Sequence, residues 1–189
     1  MENDHEIWQR FRTGDRSALS FVYFQYFQSM FQYGTKFNDD PESIKDCIQD
    51  VFLNLIKAGE NLSPTDNIKY YLFKALKNTI YKELLKRKKS GPEEFNVLTF
   101  DAPFALEEEI EEQDNAANKD IALLGALKKL SGRQREIIYL RYECGLEYDQ
   151  ICEIMHLKND SARKLVFRAI QALKDIISPL VFLVLSTGG

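Results

Sequence analysis

Cysteine, histidine, proline and glycine are all scarce in this chain of 189 residues, which holds 3 Cys, 2 His, 5 Pro and 9 Gly. The cysteines Cys47, Cys144 and Cys152 are odd in number and form no C-x-x-C pair, which excludes a disulfide scaffold and points to a reducing compartment. All three are expected to pack as small apolar residues. With only His5 and His156 beside them, ordinary zinc-ligand spacing is missing. So little Pro and Gly excludes a collagenous or low-complexity chain. The longest uninterrupted apolar run, Leu180 to Leu185, is far short of the roughly 20 residues that span a bilayer. The start, MENDHEIWQR, lacks the basic opening and apolar stretch of a signal peptide, so a soluble cytoplasmic protein is expected. There is no G-x-x-x-x-G-K-[ST] phosphate loop and no dinucleotide G-x-G-x-x-G. Two scattered histidines and no convergent nucleophile and base argue against an enzyme, and no cofactor is expected.

What the chain does hold is apolar and charged in ordinary globular proportion, 44% and 29%, with 13 Phe and 9 Tyr. The length suits one ordinary domain or two small ones. A net charge of −4 and a pI near 5.4 argue against nucleic acid only as an average. Residues 1–67 carry 6 basic and 11 acidic side chains, 68–89 carry 8 and 1, 90–120 carry 1 and 10, and 121–189 carry 10 and 7. A strongly basic stretch followed at once by a strongly acidic one suggests separate partner surfaces for each sign. Residues 90–120 open with Ser-Gly-Pro and keep no apolar period, which reads as an acidic linker. It separates an N-terminal unit, 1–89, from a C-terminal unit, 121–189.

The pattern is helical throughout, giving an all-α chain of two small domains. A short helix over His5 to Arg12 ends at Thr13-Gly14, and Asp15 caps a long helix running to about Phe37. The eight aromatics between Phe21 and Phe37 read as core. Asp40-Pro41 starts a helix to about Lys57, since Asp40 accepts from an orphan N–H and Pro41 needs no donor at the first helical position. A polar loop, Asn61 to Asn67, leads to a helix from about Ile68 to Lys89. Beyond the linker, Ser131 and Gln134 form a capping box.

Three stripes carry candidate function. The helix from Pro41 buries Ile44, Cys47, Ile48, Val51 and Leu55 and turns Asp46, Gln49, Asp50, Leu53, Asn54 and Lys57 outward; this face is either solvated or a docking surface. The helix from Ile68 turns its core face, Ile68, Leu72, Ala75, Leu76, Thr79 and Ile80, away from Tyr70, Lys74, Lys77, Asn78, Tyr81 and Lys88. Interleaved Lys and Tyr suit single-stranded nucleic acid, through phosphate neutralisation and base stacking; a solvated face is the alternative. Tyr148 to Met155, a break at His156-Leu157, and a helix from about Asn159 to Ile177 form a helix-turn-helix pattern. Its second helix turns Asp160, Ser161, Arg163, Lys164, Phe167, Arg168, Gln171 and Lys174 outward, where Arg and Lys can meet guanine edges or phosphates and Phe167 a thymine methyl. A generic helical hairpin is the alternative there.

With these segments in order, the chain resembles the bacterial RNA polymerase sigma factors of the small two-domain extracytoplasmic-function (ECF) group. DPESIKDCIQDVFLNLI is similar to the family's helix that docks on the β′ clamp helices, which implies core polymerase contact through Asp46, Gln49, Asp50, Leu53 and Asn54. NIKYYLFKALKNTIYKELLKRKK resembles the segment that melts and reads the minus-ten element, implying Lys69, Tyr70, Lys74, Lys77, Asn78 and Tyr81 as contacts and the Asn61 to Asn67 loop as a pocket for a flipped base. LSGRQREIIYLRYECGLEYDQICEIMHLKNDSARKLVFRAIQAL resembles the domain that binds the minus-thirty-five element and the β flap, implying Asp160, Ser161, Arg163, Lys164, Phe167 and Arg168. The acidic stretch corresponds to the family's interdomain linker, and there is no room for the middle domain of housekeeping sigma factors. His156 stands where the family usually has Gly, in a turn that needs a left-handed backbone. Glu147 replaces the usual Ser or Thr cap, and Asp160 puts a carboxylate at the DNA-facing end, as a cap or an acceptor from a cytosine amino group.

The implied function is promoter-specific initiation, with core polymerase, promoter DNA and an anti-sigma factor as partners. An autonomous helix-turn-helix regulator explains the third stripe but not the first two. A helical protein that merely sequesters a partner leaves all three as solvated surface. The apolar tail from Leu180 either packs on the last domain or is held by an inhibitory partner.

Overall fold

The computed structural model of the chain describes residues 3–88, 100 and 125–187, with side chains over the same ranges except 87–88 and 178–187. The expected linker, apart from Phe100, and the packing of the tail from Leu180 lie outside them. All regular structure among the described residues is helical, in two units, Met1–Leu98 and Thr99–Gly189.

In the first unit, helix α1 (Asp4–Arg12) begins one residue earlier than the sequence suggests, because Asn3 caps it. Its Oδ1 accepts from Glu6 N at 2.9 Å, while Glu6 Oε2 accepts from Asn3 N at 3.3 Å. Helix α2 (Arg16–Gly34) is capped by Asp15, which accepts from Ser17 N at 2.8 Å and Ala18 N at 3.2 Å. Hydrogen bonds from the Ser17 side chain and from Arg10 hold the Asp15 carboxyl well below the usual carboxylate range. Helix α3 (Pro41–Ala58) starts as expected on Asp40 with Pro41 at its first turn. It stops at Gly59, whose φ of +50° favours glycine. A tight turn over Gly59–Asn61 and an irregular stretch then lead to α4 (Ile68–Lys88).

These four helices share one core, with α2, α3 and α4 packed on each other and α1 against α2 and α4. Trp8, Val22, Met30, Tyr33, Ile44, Ile48, Leu72, Phe73, Leu76 and Ile80 are fully or nearly fully buried. Each such large side chain contributes on the order of 1.5–3 kcal/mol. Phe73 stacks on Tyr33 with centroids 4.7 Å apart. That contact turns α4 so that Phe73 and Lys77 join the buried face, while Ala75 and Thr79, expected in the core, are half-buried. The aromatics of α2 also divide: Tyr33 is buried, but Phe21, Tyr23 and Phe24 are exposed, contrary to an all-core reading.

In the second unit, a helical stretch over 125–129 precedes α5 (Gly132–Ile138), which starts on the Ser131–Gln134 capping box. Its last turn widens into a π turn over Tyr139–Glu143. Helices α6 (Tyr148–Met155) and α7 (Asn159–Thr187) follow, and α7 packs against both α5 and α6. Phe100 is buried in this unit beside Tyr139, centroids 5.6 Å apart, and its carbonyl accepts from Arg135 Nε at 3.1 Å. One residue of the expected linker is therefore core of the C-terminal unit. Cys47 is buried, whereas Cys144 and Cys152 are half-buried. Cys152 lies between the buried Ile151 and Ile154 in sequence, and desolvation there pushes its thiol pKa up.

Candidate functional site

The exposed face of α3 is the one the sequence suggests. Ile44, Cys47, Ile48, Val51 and Leu55 are buried together with Phe52, so Asp46, Gln49, Asp50, Leu53 and Asn54 are left outward and exposed. Four of them, Asp46, Gln49, Asp50 and Asn54, line a polar groove of about 440 Å³ whose other wall is Thr79, Lys82, Glu83 and Lys86 of α4. The carboxylates thus stand in water beside lysines. Next to this face lies an apolar surface that sequence reasoning missed. Tyr23 meets Phe52 edge-on at 5.0 Å and Phe24 at 5.5 Å, and Phe24 is 79% exposed, with Phe21, Leu53 and Ile56 also exposed. The available signal was a surplus: α2 carries more aromatics than one buried stripe can hold. Exposed aromatics grouped beside charges are the composition of a protein-docking surface.

On α4, Lys69, Tyr70, Lys74, Asn78 and Tyr81 are all half-buried. Lys74 Nζ donates to the Tyr70 hydroxyl at 3.3 Å and lies 5.7 Å from that ring, so the pair forms one amphipathic unit. Lys77 is not brought to them. It is only 4% exposed, with its ammonium 5.7 Å from the Phe37 ring, because the Phe73–Tyr33 stack turns position 77 inward. The loop from Asn61 to Asn67 keeps Asn61, Ser63 and Pro64 exposed and anchors Leu62 inside.

In the second unit, His156 has φ 50° and ψ 54°, the left-handed conformation that the turn demands. His156 N and Leu157 N both donate to the Cys152 carbonyl. The start of α6 is fastened without a hydroxyl cap: Gln150 Oε1 accepts from Glu147 N at 3.1 Å, and Arg141 donates to Leu146 O at 2.8 Å and to Glu147 Oε2 at 3.1 Å. Two guanidinium groups approach the Tyr148 ring, Arg141 at 5.0 Å and Arg163 at 4.7 Å from its centroid. Each contact is worth about 0.5–1 kcal/mol at an exposed site, enough to bias the Arg163 rotamer before any ligand arrives. Asn159 also donates to Asp149, linking α7 to α6. The exposed face of α7 then carries Asp160, Ser161, Arg163, Lys164, Phe167 and Arg168, with Phe167 63% exposed.

Two helices locked at a left-handed turn, with an exposed cationic second helix, define a helix-turn-helix DNA-binding unit. Residues 8–90 match the family model described as Sigma-70 region 2, and residues 120–173 match that described as Sigma-70, region 4. The chain is 24% identical over 188 residues to the RNA polymerase sigma-H factor of Pseudomonas aeruginosa, covering 95% of this chain and 96% of that one. It is 20% identical over 184 residues to the ECF RNA polymerase sigma-E factor of Escherichia coli K12, covering 94% and 96%. Its fold is similar to that of CnrH, solved in complex with the cytosolic domain of CnrY, at a TM-score of 0.60 and 16% identity over 94% of this chain and 99% of that one. It is also similar to the sigma factor RpoE of Bartonella quintana, solved in complex with the anti-sigma factor NepR, at a TM-score of 0.53 and 18% identity over 82% and 94%. The chain belongs to the sigma-70 family and is an ECF sigma factor, the subunit that directs RNA polymerase to promoters. No helix among the described residues is long and apolar enough to cross a membrane.

Proposed function

We propose that this sigma factor, a cytoplasmic protein without enzymatic activity of its own, docks on core polymerase through Asp46, Gln49, Asp50, Leu53 and Asn54, with Phe21, Tyr23 and Phe24 as the apolar part of the same surface. The observation that carries this reading is the adjacency of exposed carboxylates and exposed aromatics on α2 and α3, linked by the Tyr23–Phe52 contact. The apolar part supplies affinity by desolvation, and the charges select partner and orientation.

Polymerase then presents α4 to the minus-ten element and α7 to the minus-thirty-five duplex. Lys69 and Lys74 neutralise phosphates of the opened strand, Tyr70 and Tyr81 offer ring faces, and Asn78 offers an amide. Lys77 takes no part, being buried. An unstacked base enters the loop from Asn61 to Asn67, where edge contacts and stacking recover the few kcal/mol that flipping costs. On the duplex, Arg163, Lys164, Phe167 and Arg168 face the groove, and Ser161 and Asp160 stand at the end of α7 that approaches first. The acidic stretch within residues 90–120 links the two DNA-binding units, with Phe100 belonging to the C-terminal one. An anti-sigma factor covers these surfaces when the protein is idle, a reading supported by the structural relative RpoE, which was solved in complex with the anti-sigma factor NepR.

The test is run-off transcription with purified core polymerase on a pool of promoter fragments, comparing wild type with Asp46→Ala/Asp50→Ala. Exposed carboxylates in such an interface are each worth on the order of 1 kcal/mol, so core affinity should fall about tenfold or more. Specific initiation lost in parallel with core binding is the expected result. A double mutant with unchanged core affinity would remove α3 as the docking face.

A further inference from the structure

The N-terminal helix α1 has no part in the surfaces described above, yet its side chains converge on one place. Asp4, Trp8 and Arg12 stand four residues apart and so form a single stripe along the helix. Arg12 Nη2 donates to the Glu60 carbonyl at 2.6 Å, Trp8 Nε1 donates to the Ser63 carbonyl at 2.9 Å, and Asp4 Oδ2 accepts from Ile68 N at 2.8 Å. Ascending the loop from 60 to 68 descends the helix from 12 to 4. The loop is therefore laid antiparallel against α1 and pinned at both ends and near its middle.

All three bonds go to main-chain atoms of the loop, so they fix its path whatever side chains it carries. The anchors are themselves held. Trp8 is fully buried, stacked on Phe11 at 5.0 Å and tilted against Tyr71 of α4 at 4.8 Å. Asp4 Oδ1 accepts from the Tyr26 hydroxyl at 3.4 Å, and burial followed by the Asp4 charge pushes that phenol up to about 12, so it keeps its donor proton. Asp4 also caps α4 from 64 residues away, beside the local cap in which Asn67 Oδ1 accepts from Tyr70 N at 2.9 Å. The His5–Asp66 contact is exposed on both sides and adds little.

We infer that α1 sets how sharply the minus-ten base is discriminated: Asp4, Trp8 and Arg12 are positioning residues that hold the 59–68 loop in the shape that receives the unstacked base. This rests on the assignment of that loop as the base pocket. A loop ordered before binding leaves its ordering entropy out of the binding step, so the energy of the correct base is not spent on folding the pocket. A loosened loop accepts more bases and discriminates less.

The experiment uses full-length protein with core polymerase on promoters that share one minus-thirty-five element and vary each minus-ten base. The read-out is the ratio of initiation with the preferred base to that with the next best, alongside core affinity. Trp8→Phe keeps an aromatic side chain, though a smaller one, and removes the donor, Asp4→Ala removes the remote cap, and Asp4→Asn keeps an acceptor in place. Each net hydrogen bond is worth about fivefold, so Trp8→Phe and Asp4→Ala should each cut the ratio about fivefold, with core affinity unchanged and with Asp4→Asn close to wild type. Asn61→Ala, on the loop itself, should change the ratio too. If Asn61→Ala changes it and the α1 variants do not, the positioning role is overturned and the pocket stands. If none of them changes it, both fall. A uniform loss of initiation at every promoter, together with lost core affinity, overturns the positioning role in favour of simple support of the fold.

Discussion

Gly34→Ala sets two effects of known size against each other. Gly34 is the last residue of α2, and alanine is the better helix former by at most about 1 kcal/mol. Against that, a Cβ at this position would lie 2.6 Å from Ile44 Cγ2 and 3.5 Å from Ile80 Cδ1, with both isoleucines buried. Carbon atoms rest at about 3.5–4.0 Å, so α2 and α3 must separate by roughly 1 Å, and the β-branched Ile44 has few rotamers with which to yield. Overpacking of this kind costs about 1–3 kcal/mol. The overlap wins, and a net loss of about 1–2 kcal/mol is expected. The single tryptophan, Trp8, is buried in the N-terminal unit, so its emission follows that unit alone. In urea the midpoint should fall by roughly 0.5–1 M. Adding Ile44→Ala, which removes the opposing methyl, should abolish the penalty of the Gly34 substitution within a double-mutant cycle. A raised midpoint for Gly34→Ala would refute the close approach of α2 and α3.

Two further predictions concern the promoter-facing surfaces. Lys77→Ala should lower stability by about 1 kcal/mol through its lost stem packing and Phe37 contact, and leave the salt dependence of promoter opening unchanged. Lys74→Ala should do the reverse, reducing the slope of log K against log salt by about one in filter binding by the holoenzyme, and equal slopes for the two would return Lys77 to the DNA face. His156→Gly should stabilise the C-terminal unit by about 1 kcal/mol, since glycine occupies φ 50° without a Cβ penalty. Thermal unfolding by circular dichroism would register it, and a lower melting temperature would mean that the imidazole contributes more than the backbone loses.

The features legible in the sequence are those settled within a few residues. Asp15, Asp40-Pro41 and Ser131–Gln134 mark helix starts because a cap is a bond to an N–H two or three positions away, and each is found where expected. The exposed face of α3 was equally legible, since a strict three- and four-residue apolar stripe leaves its complement outward. The face of α4 was not, because it turns on Phe73 meeting Tyr33 across 40 residues, and periodicity alone could not choose between Ala75 and Phe73. The loop anchors lay further out of reach. Arg12, Trp8 and Asp4 meet backbone atoms 48, 55 and 64 residues away, and a main-chain carbonyl leaves no mark in the identity of the residue that owns it. That difference has a consequence for how promoter choice can evolve in this protein. Side chains that meet DNA can be exchanged one at a time, but the path of the loop depends on bonds indifferent to its side chains. Altered base preference should therefore arise by substitution at exposed Asn61, Ser63 and Pro64 while Asp4, Trp8 and Arg12 stay fixed. A selection for new minus-ten preference that returned changes chiefly in α1 would show that the loop's path, rather than its side chains, is what reads the base.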